Sequence, residues 1–196
     1  MTAASVDGAF LDHVVRYLAY LSRRPAPGVP MPHEELVRMI EVNVTEGLGT
    51  AWVRKFRHAQ WHMPTGDEAI STTDGRMMLH EWLHVTPGYL KTDVDHHTDH
   101  FSPSCRDIAW DLAGCLVEWR LDRPMQNYLI GQYRFVAGDS TLPQRLPFYS
   151  IAYLAHRLGY ATLATQTLGP DCPDGRRFKA LTARYATLLQ QELSQF

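Results

Sequence analysis

Histidine and carboxylate side chains concentrate in one stretch of the chain, residues 74–111. Half of the ten histidines lie there, interspersed with acidic residues: His80, Glu81, His84, Asp93, Asp95, His96, His97, Asp99 and His100. Imidazole and carboxylate groups bind metal ions and act as general acids or bases. The stretch therefore holds the candidate chemistry of the protein, and two hypotheses for it require different metals.

The first hypothesis is a zinc site at residues 80–84, which read His-Glu-Trp-Leu-His and match the H-E-x-x-H motif. In zinc hydrolases this motif is helical, so that both histidines hold the ion and the glutamate activates a bound water. His80 and His84 would then bind Zn²⁺ with His96 as a third ligand, and Glu81 would be the base.

Turn residues on both sides of this motif favour a β-hairpin over a helix. Thr73-Asp74-Gly75 is a turn signal before it, and after it Pro87 and Gly88 match the two central positions of a type II turn. Pro87 also disfavours a helical conformation in Thr86. On a strand, residues four apart are separated by about 13 Å, which is too far for one zinc ion. The sequence therefore predicts a hairpin and leaves the zinc site as the alternative hypothesis.

Outside this hairpin, apolar residues recur at helical spacing. The pattern is present over residues 10–21, 36–44, 108–121, 124–136, 148–158 and 178–189. Gly138 and Gly159 follow two of these patterns and are predicted to end the helices. The predicted fold class is mainly α with a small central β-hairpin. We find neither an internal repeat nor a linker, which predicts a single domain over residues 1–196.

Composition argues against several classes of function. The 196 residues are 45% hydrophobic and carry a formal net charge of −2, which gives no electrostatic footprint for nucleic acid. Apolar runs are too short to span a membrane and the N-terminus lacks a signal-peptide pattern, so we expect a cytoplasmic protein with no nucleic-acid or membrane partner. The three cysteines contain no Cys-x-x-Cys pair, which argues against a disulfide framework or a zinc ribbon.

In its order of elements the chain resembles the C-terminal lobe of the aminoglycoside phosphotransferase and choline kinase-like family, a branch of the protein-kinase-like fold. That family has a catalytic loop reading H-G-D-x-x-x-x-N, then a short strand that ends in a metal-binding Asp, then a helix that begins with D-L-A. Here Leu79–Leu83 stands in the place of the loop and Lys91-Thr92-Asp93 in the place of the strand. Trp110–Gly114 resembles the start of the helix.

The resemblance implies roles for individual residues. Asp93, with Asp95 close by in the sequence, would bind the Mg²⁺ that accompanies ATP. His80 would orient the catalytic loop. Independently of the resemblance, we predict that Asp111 is structural and ties the start of the helix back to the central loop. Asp107 is a good N-cap for the same helix.

The chain also departs from the family pattern. Trp82 stands where the family has its catalytic base, Pro87 falls where it has a metal-binding Asn, and residues 1–73 show no phosphate-binding loop. We therefore expect a phosphotransferase-like lobe for a small-molecule substrate that is inactive alone or takes its nucleotide-binding lobe from a partner chain. The alternatives are the zinc-dependent hydrolase and a non-catalytic interaction module.

Overall fold

The computed structural model describes residues 2–25, 31–61, 71–92, 107–169 and 171–196. Within these ranges the chain is mainly helical with a small antiparallel sheet, which confirms the predicted fold class at that level. The helices are α1 (Gly8–Ser22), α2 (His33–Leu48), α3 (Thr50–His58), α4 (Ala109–Glu118), α5 (Arg123–Ala137), α6 (Leu142–Leu168) and α7 (Pro173–Leu193). The strands are β1 (Thr2–Ala3), β2 (Trp82–Val85) and β3 (Gly88–Lys91), and a 3₁₀ turn, Leu79–Glu81, precedes β2. None of the helices in these ranges combines the length and apolar character needed to span a bilayer.

The chain divides into two compact units. The first comprises residues 1–31 and 63–146, and the second comprises residues 32–62 and 147–196. In the first unit α1 packs against α5 and contacts β3, whereas in the second α7 packs against α2 and α3. Helix α6 has its residues up to Leu146 in the first unit and those from Pro147 in the second. The single domain over residues 1–196 stays a prediction, since a division into compact units does not by itself separate domains.

Helix ends follow from local chemistry where a capping residue is present. The Asp7 carboxylate accepts the backbone N–H of Phe10 at the start of α1, and the Asp122 carboxylate accepts that of Met125 at the start of α5. Gly138 ends α5 in the left-handed conformation, with φ of 73°, as predicted. These caps fix α1 and α5, the two helices that pack on each other in the first unit.

The sheet contains the predicted hairpin and one further strand. Its order is β1-β2-β3 with antiparallel pairing throughout. The register pairs Val85 with Gly88, so the loop between the strands is Thr86–Pro87, and the peptide bond within it is cis. Pro87 is thus the third residue of the turn, which is the place of proline in a type VI turn. The type II turn that we predicted is wrong, because Gly88 already belongs to β3.

The predicted end of a helix at Gly159 is also wrong. Helix α6 continues through Gly159 to Leu168. A Cβ atom at Gly159 would lie only 2.5 Å from Oδ1 of Asn43 on α2. The glycine is therefore required by the close approach of two helices within the second unit, and not by a left-handed cap.

Candidate functional site

The first unit contains a group of titratable side chains, four of them buried and Tyr17 half-buried, which we call the ionic cluster: Tyr17, Asp74, Glu81, Lys91 and Asp111. Helix α1, the loop that follows residue 71, the 3₁₀ turn, β3 and α4 each contribute one of these residues. Ionised groups are costly to bury unless they are paired, so their arrangement explains how the unit tolerates them.

Asp111 fastens the central loop to α4. Its side chain is wholly buried, and its two oxygens accept the backbone N–H groups of Asp74 at 2.7 Å and Gly75 at 2.8 Å. The neighbouring Trp110 donates from Nε1 to the carbonyl oxygen of Gly75 at 3.1 Å. These contacts confirm the prediction that Asp111 ties the start of the helix to the central loop.

Asp107 supports the same helix from its first turn. Its carboxylate accepts the backbone N–H of Ala109 at 2.9 Å, but the N-cap of α4 is Ile108, so the predicted N-cap at Asp107 is wrong by one residue. The Asp107 carboxylate also accepts from Nε of Arg145 at 2.7 Å, and Arg145 donates in addition to Asp139. The helix that carries Asp111 is thus held in place from two directions.

Lys91 joins the two other carboxylates of the cluster. Its Nζ lies 3.2 Å from Oδ1 of Asp74 and 2.9 Å from Oε2 of Glu81, and its side chain is only 3% exposed. The strand register places Lys91 opposite Trp82, whose ring centroid is 5.9 Å from the ammonium nitrogen. The buried ammonium is thus paired with two carboxylates, and it donates a hydrogen bond to Glu81.

Tyr17 and Arg76 complete the pairing at the edges of the cluster. The Tyr17 hydroxyl donates to Oδ2 of Asp74 at 2.6 Å, and burial together with the Asp74 charge raises the pKa of Tyr17 well above its usual range. Nε of Arg76 lies 2.8 Å from Oε1 of Glu81, and the side chain of Arg76 remains partly exposed to solvent. Asp74 is consequently bonded through both of its oxygens, and its side chain is 1% exposed.

Burial and charge repulsion act together on Asp111. Burial, followed by the charge of Asp74, raises the pKa of Asp111 to about 8, although the two backbone N–H groups and Lys91 oppose this effect. Burial is likewise the main cause that raises the pKa of the Cys115 thiol one helical turn later, with Asp111 and Asp74 adding to it. The cluster can therefore take up a proton near neutral pH at Asp111.

The motif at residues 80–84 does not form a helix. His80 and Glu81 lie in the 3₁₀ turn, whereas His84 lies on β2. His80 is 68% exposed, and the exposed ring of His84 packs beside Tyr89 with ring centroids 5.3 Å apart. Glu81, which we predicted as a catalytic base, is buried and paired with Lys91. The helical geometry on which the zinc-hydrolase hypothesis depends is therefore absent from residues 79–85.

Other predicted site residues lie outside the described ranges. These are Asp93, Asp95 and His96. The described residue that precedes Asp93 is Thr92, whose backbone N–H and hydroxyl both donate to the carbonyl oxygen of Glu81, at 2.7 Å and 3.0 Å. Within the described ranges, no group of three His, Cys, Asp or Glu side chains is arranged to hold a metal ion.

The sequence reasoning missed three members of the ionic cluster. Asp74 was assigned only to a turn, and Lys91 and Tyr17 were given no role. The alternation of β3 places Lys91 on one face with Tyr89 and Leu90 on the other, but it does not show which face is buried. Leu90 is exposed and Lys91 is buried, which is the reverse of what their polarity suggests.

Comparisons with protein-family models, curated proteins and solved structures give no match to this chain.

Proposed function

We propose that the chain is a phosphotransferase-like lobe that resembles the C-terminal lobe of small-molecule kinases and works with a nucleotide-binding lobe from a partner chain. The observation that carries the proposal is the pair of hydrogen bonds from the backbone of Asp74 and Gly75 to Asp111. A loop, a short hairpin and a helix with the letters Asp-Leu-Ala follow one another, and the helix carboxylate holds the loop. The order of these elements supports the resemblance, and Asp111 holds the segment that precedes Leu79–Leu83.

The ionic cluster supports this proposal by fixing the segment that leads to Asp93. Lys91 is held by Asp74 and Glu81, and Thr92 is held by the carbonyl oxygen of Glu81. The chain before Asp93 is therefore anchored at two consecutive residues. Phosphoryl transfer depends mainly on positioning and on charge stabilisation. Anchoring Lys91 and Thr92 would therefore help to position Asp93 for metal binding.

Asp93 and Asp95 would hold the metal in this proposal. Their carboxylates are the hard oxygen donors that Mg²⁺ takes in proteins. When bound, Mg²⁺ would neutralise charge on the phosphate oxygens of the nucleotide. Trp82, in the place of the catalytic base, is fully buried, and both oxygens of Asp74 are engaged. For this reason we assign the lobe a role in holding metal and nucleotide, with the remaining groups supplied by the partner chain.

A titration with Mn²⁺ tests the proposal directly, since Mn²⁺ prefers the same ligands as Mg²⁺ and is detected by electron paramagnetic resonance. The wild-type chain should bind Mn²⁺ saturably, and Mg²⁺ should displace it. The variant Asp93→Ala should lose this binding. Asp171→Ala removes an exposed carboxylate from the second unit and should bind Mn²⁺ like the wild type. Absence of saturable binding, or equal binding by the Asp93→Ala variant, would overturn the proposal.

A second candidate function is the non-catalytic interaction module. It is favoured by the burial of Asp74, whose side chain is 1% exposed and bonded to Tyr17 and Lys91. This candidate expects no Mn²⁺ site in the titration and no change on addition of ATP. Zinc analysis of the purified protein addresses the hydrolase hypothesis in the same preparation, because stoichiometric zinc would contradict both other candidates.

A further inference from the structure

A concave site with a strongly positive lining lies in the first unit, away from the ionic cluster. The C-terminal half of α1, the residues just after it and Val136 near the end of α5 form its walls. Its volume is about 530 Å³, which is within the range of pockets that bind small molecules. Three arginines line it, Arg16, Arg23 and Arg24, and no acidic side chain is among its described lining residues.

Two of these arginines are positioned by contacts of their own. Arg23 donates from Nη2 to the carbonyl oxygen of Val136 at 2.7 Å, which holds its guanidinium at the end of α5. Arg24 places Cζ 4.7 Å from the ring centroid of Tyr20. Arg16 lies one helical turn before Tyr20 on the same face of α1. Contacts within the chain therefore order the side chains of Arg23 and Arg24 before a ligand binds. This lowers the entropy cost of binding.

Asp12 is the acidic residue one turn before Arg16 on α1. Its carboxylate accepts the hydroxyl of Tyr128 on α5 at 2.6 Å. This contact directs the carboxylate toward Tyr128, whereas Arg16 lines the pocket. The pocket thus keeps a local excess of positive charge although the whole chain has a formal net charge of −2.

From these features we infer that the pocket binds a small phosphate monoester with a flat apolar body. Guanidinium groups present parallel N–H donors that match the oxygens of a phosphate. The ring of Tyr20 and the side chain of Val136 offer an apolar surface for the rest of the ligand. The pocket and the ionic cluster share no residue, so this inference does not depend on the proposed function.

Calorimetric titration with phenyl phosphate tests the inference, in EDTA so that no metal site contributes. The wild-type chain should bind phenyl phosphate saturably and more tightly than either inorganic phosphate or benzyl alcohol. The variants Arg16→Gln and Arg24→Gln should each weaken binding by about tenfold, since each removes a charge-assisted contact. Arg123→Gln is the matched control, because Arg123 is exposed at the start of α5 and does not line the pocket.

Three results would overturn the inference. One is the absence of saturable binding by the wild-type chain. Another is equal affinity for phenyl phosphate and inorganic phosphate, which would show that the pocket does not bind the apolar body of the ligand. The last is an effect of Arg123→Gln as large as that of Arg16→Gln and Arg24→Gln, which would show a general effect of net charge. All three arginines are exposed, so the variants should fold, and circular dichroism checks this.

Discussion

The buried lysine is the residue on which the charge balance of the ionic cluster depends. Lys91 lies within 3.2 Å of Asp74 and within 2.9 Å of Glu81, and all three side chains are almost fully buried. The attraction between such groups offsets a desolvation cost of several kcal/mol for each ion. Removing one partner leaves that cost without compensation, so the effect of a substitution should be much larger than for an exposed lysine.

We predict that Lys91→Met lowers the free energy of unfolding by about 3–5 kcal/mol, because it removes the ammonium that two buried carboxylates share and leaves Asp74 with Tyr17 and Glu81 with the partly exposed Arg76. Methionine keeps the length of the side chain and removes only its charge and donors. Urea denaturation monitored by circular dichroism measures the change. The matched control is Lys179→Met on α7, where the lysine is exposed and the change should be within about 0.5 kcal/mol.

A second substitution tests the reason for this loss. Glu81→Gln in the Lys91→Met background removes the charge of one of the two carboxylates that Lys91 pairs with, and it should recover part of the stability. If Lys91→Met is no more destabilising than Lys179→Met, or if Glu81→Gln makes it worse, the charge-pairing explanation is wrong.

The sequence predicted the residues of this site unevenly. The role of Asp111 in tying the start of α4 to the central loop was predicted correctly. Lys91 and Asp74 were missed, because a lysine after an exposed leucine looks like an ordinary strand end. Only the register of β3 against β2 turns Lys91 inward, and pairing register is decided by distant parts of the chain.

At the scale of elements, local signals predicted the helices whose ends are capped locally. The apolar face of α1 and the end of α5 at Gly138 were both predicted from the sequence. Strand β1 was not predicted, since a strand of two residues carries no periodic pattern and forms only by pairing with β2. The helix end that we predicted at Gly159 was wrong for a different reason. This glycine lies inside α6 and allows close contact with Asn43 on α2.

A pair of glycine substitutions separates these two uses of glycine. Gly159→Ala should destabilise the chain by about 1–3 kcal/mol, because the new Cβ meets Asn43 on α2 at 2.5 Å. Gly131→Ala should instead stabilise it by about 0.4–1 kcal/mol, because Gly131 lies inside α5 with no atom within 4 Å of the added Cβ. Thermal and urea unfolding measure both changes.

The variant Asn43→Ala tests whether a clash with Asn43 causes the destabilisation predicted for Gly159→Ala. Shortening Asn43 in this way should remove most of the penalty of Gly159→Ala, so that the double variant is more stable than the sum of the single effects predicts. Additive effects would show that the clash with Asn43 is not the cause. A stabilising effect of Gly159→Ala alone would show that the two helices separate at little cost.

At the scale of the whole molecule, the ionic cluster joins segments that are far apart in the sequence. Tyr17 and Asp74 are separated by 57 positions, and Asp74 and Asp111 by 37. Because five segments of the first unit meet at the cluster, its protonation state should affect the unfolding of that unit as a whole. Asp111 is the group to examine, since burial and the nearby Asp74 charge raise its pKa to about 8.

The sign of the pH dependence follows from where the proton is held. Between the ordinary pKa of an aspartate, about 3.9, and the raised value, the folded chain keeps a proton on Asp111 that the unfolded chain has released. Raising the pH across this range therefore favours unfolding, by at most about 1.4 kcal/mol for each pH unit. The decline should end near pH 8, where the folded chain also loses the proton. We predict that the free energy of unfolding of the first unit falls from pH 5.5 to pH 8 and then levels off.

Urea denaturation at intervals between pH 5.5 and 9 measures this dependence, and comparison with Asp111→Asn isolates the contribution of one group. The other titratable groups that interact with Asp111 include Asp74, Lys91, Cys115 and Tyr17, and they remain in that variant. Its slope over this range should be smaller than that of the wild type, whatever its absolute stability. Asp74→Asn is a second route, because removing the Asp74 charge should lower the pKa of Asp111 and move the end of the decline to lower pH. Equal slopes in the wild type and Asp111→Asn would mean that Asp111 is already ionised in the folded chain, held by the two backbone N–H groups and Lys91.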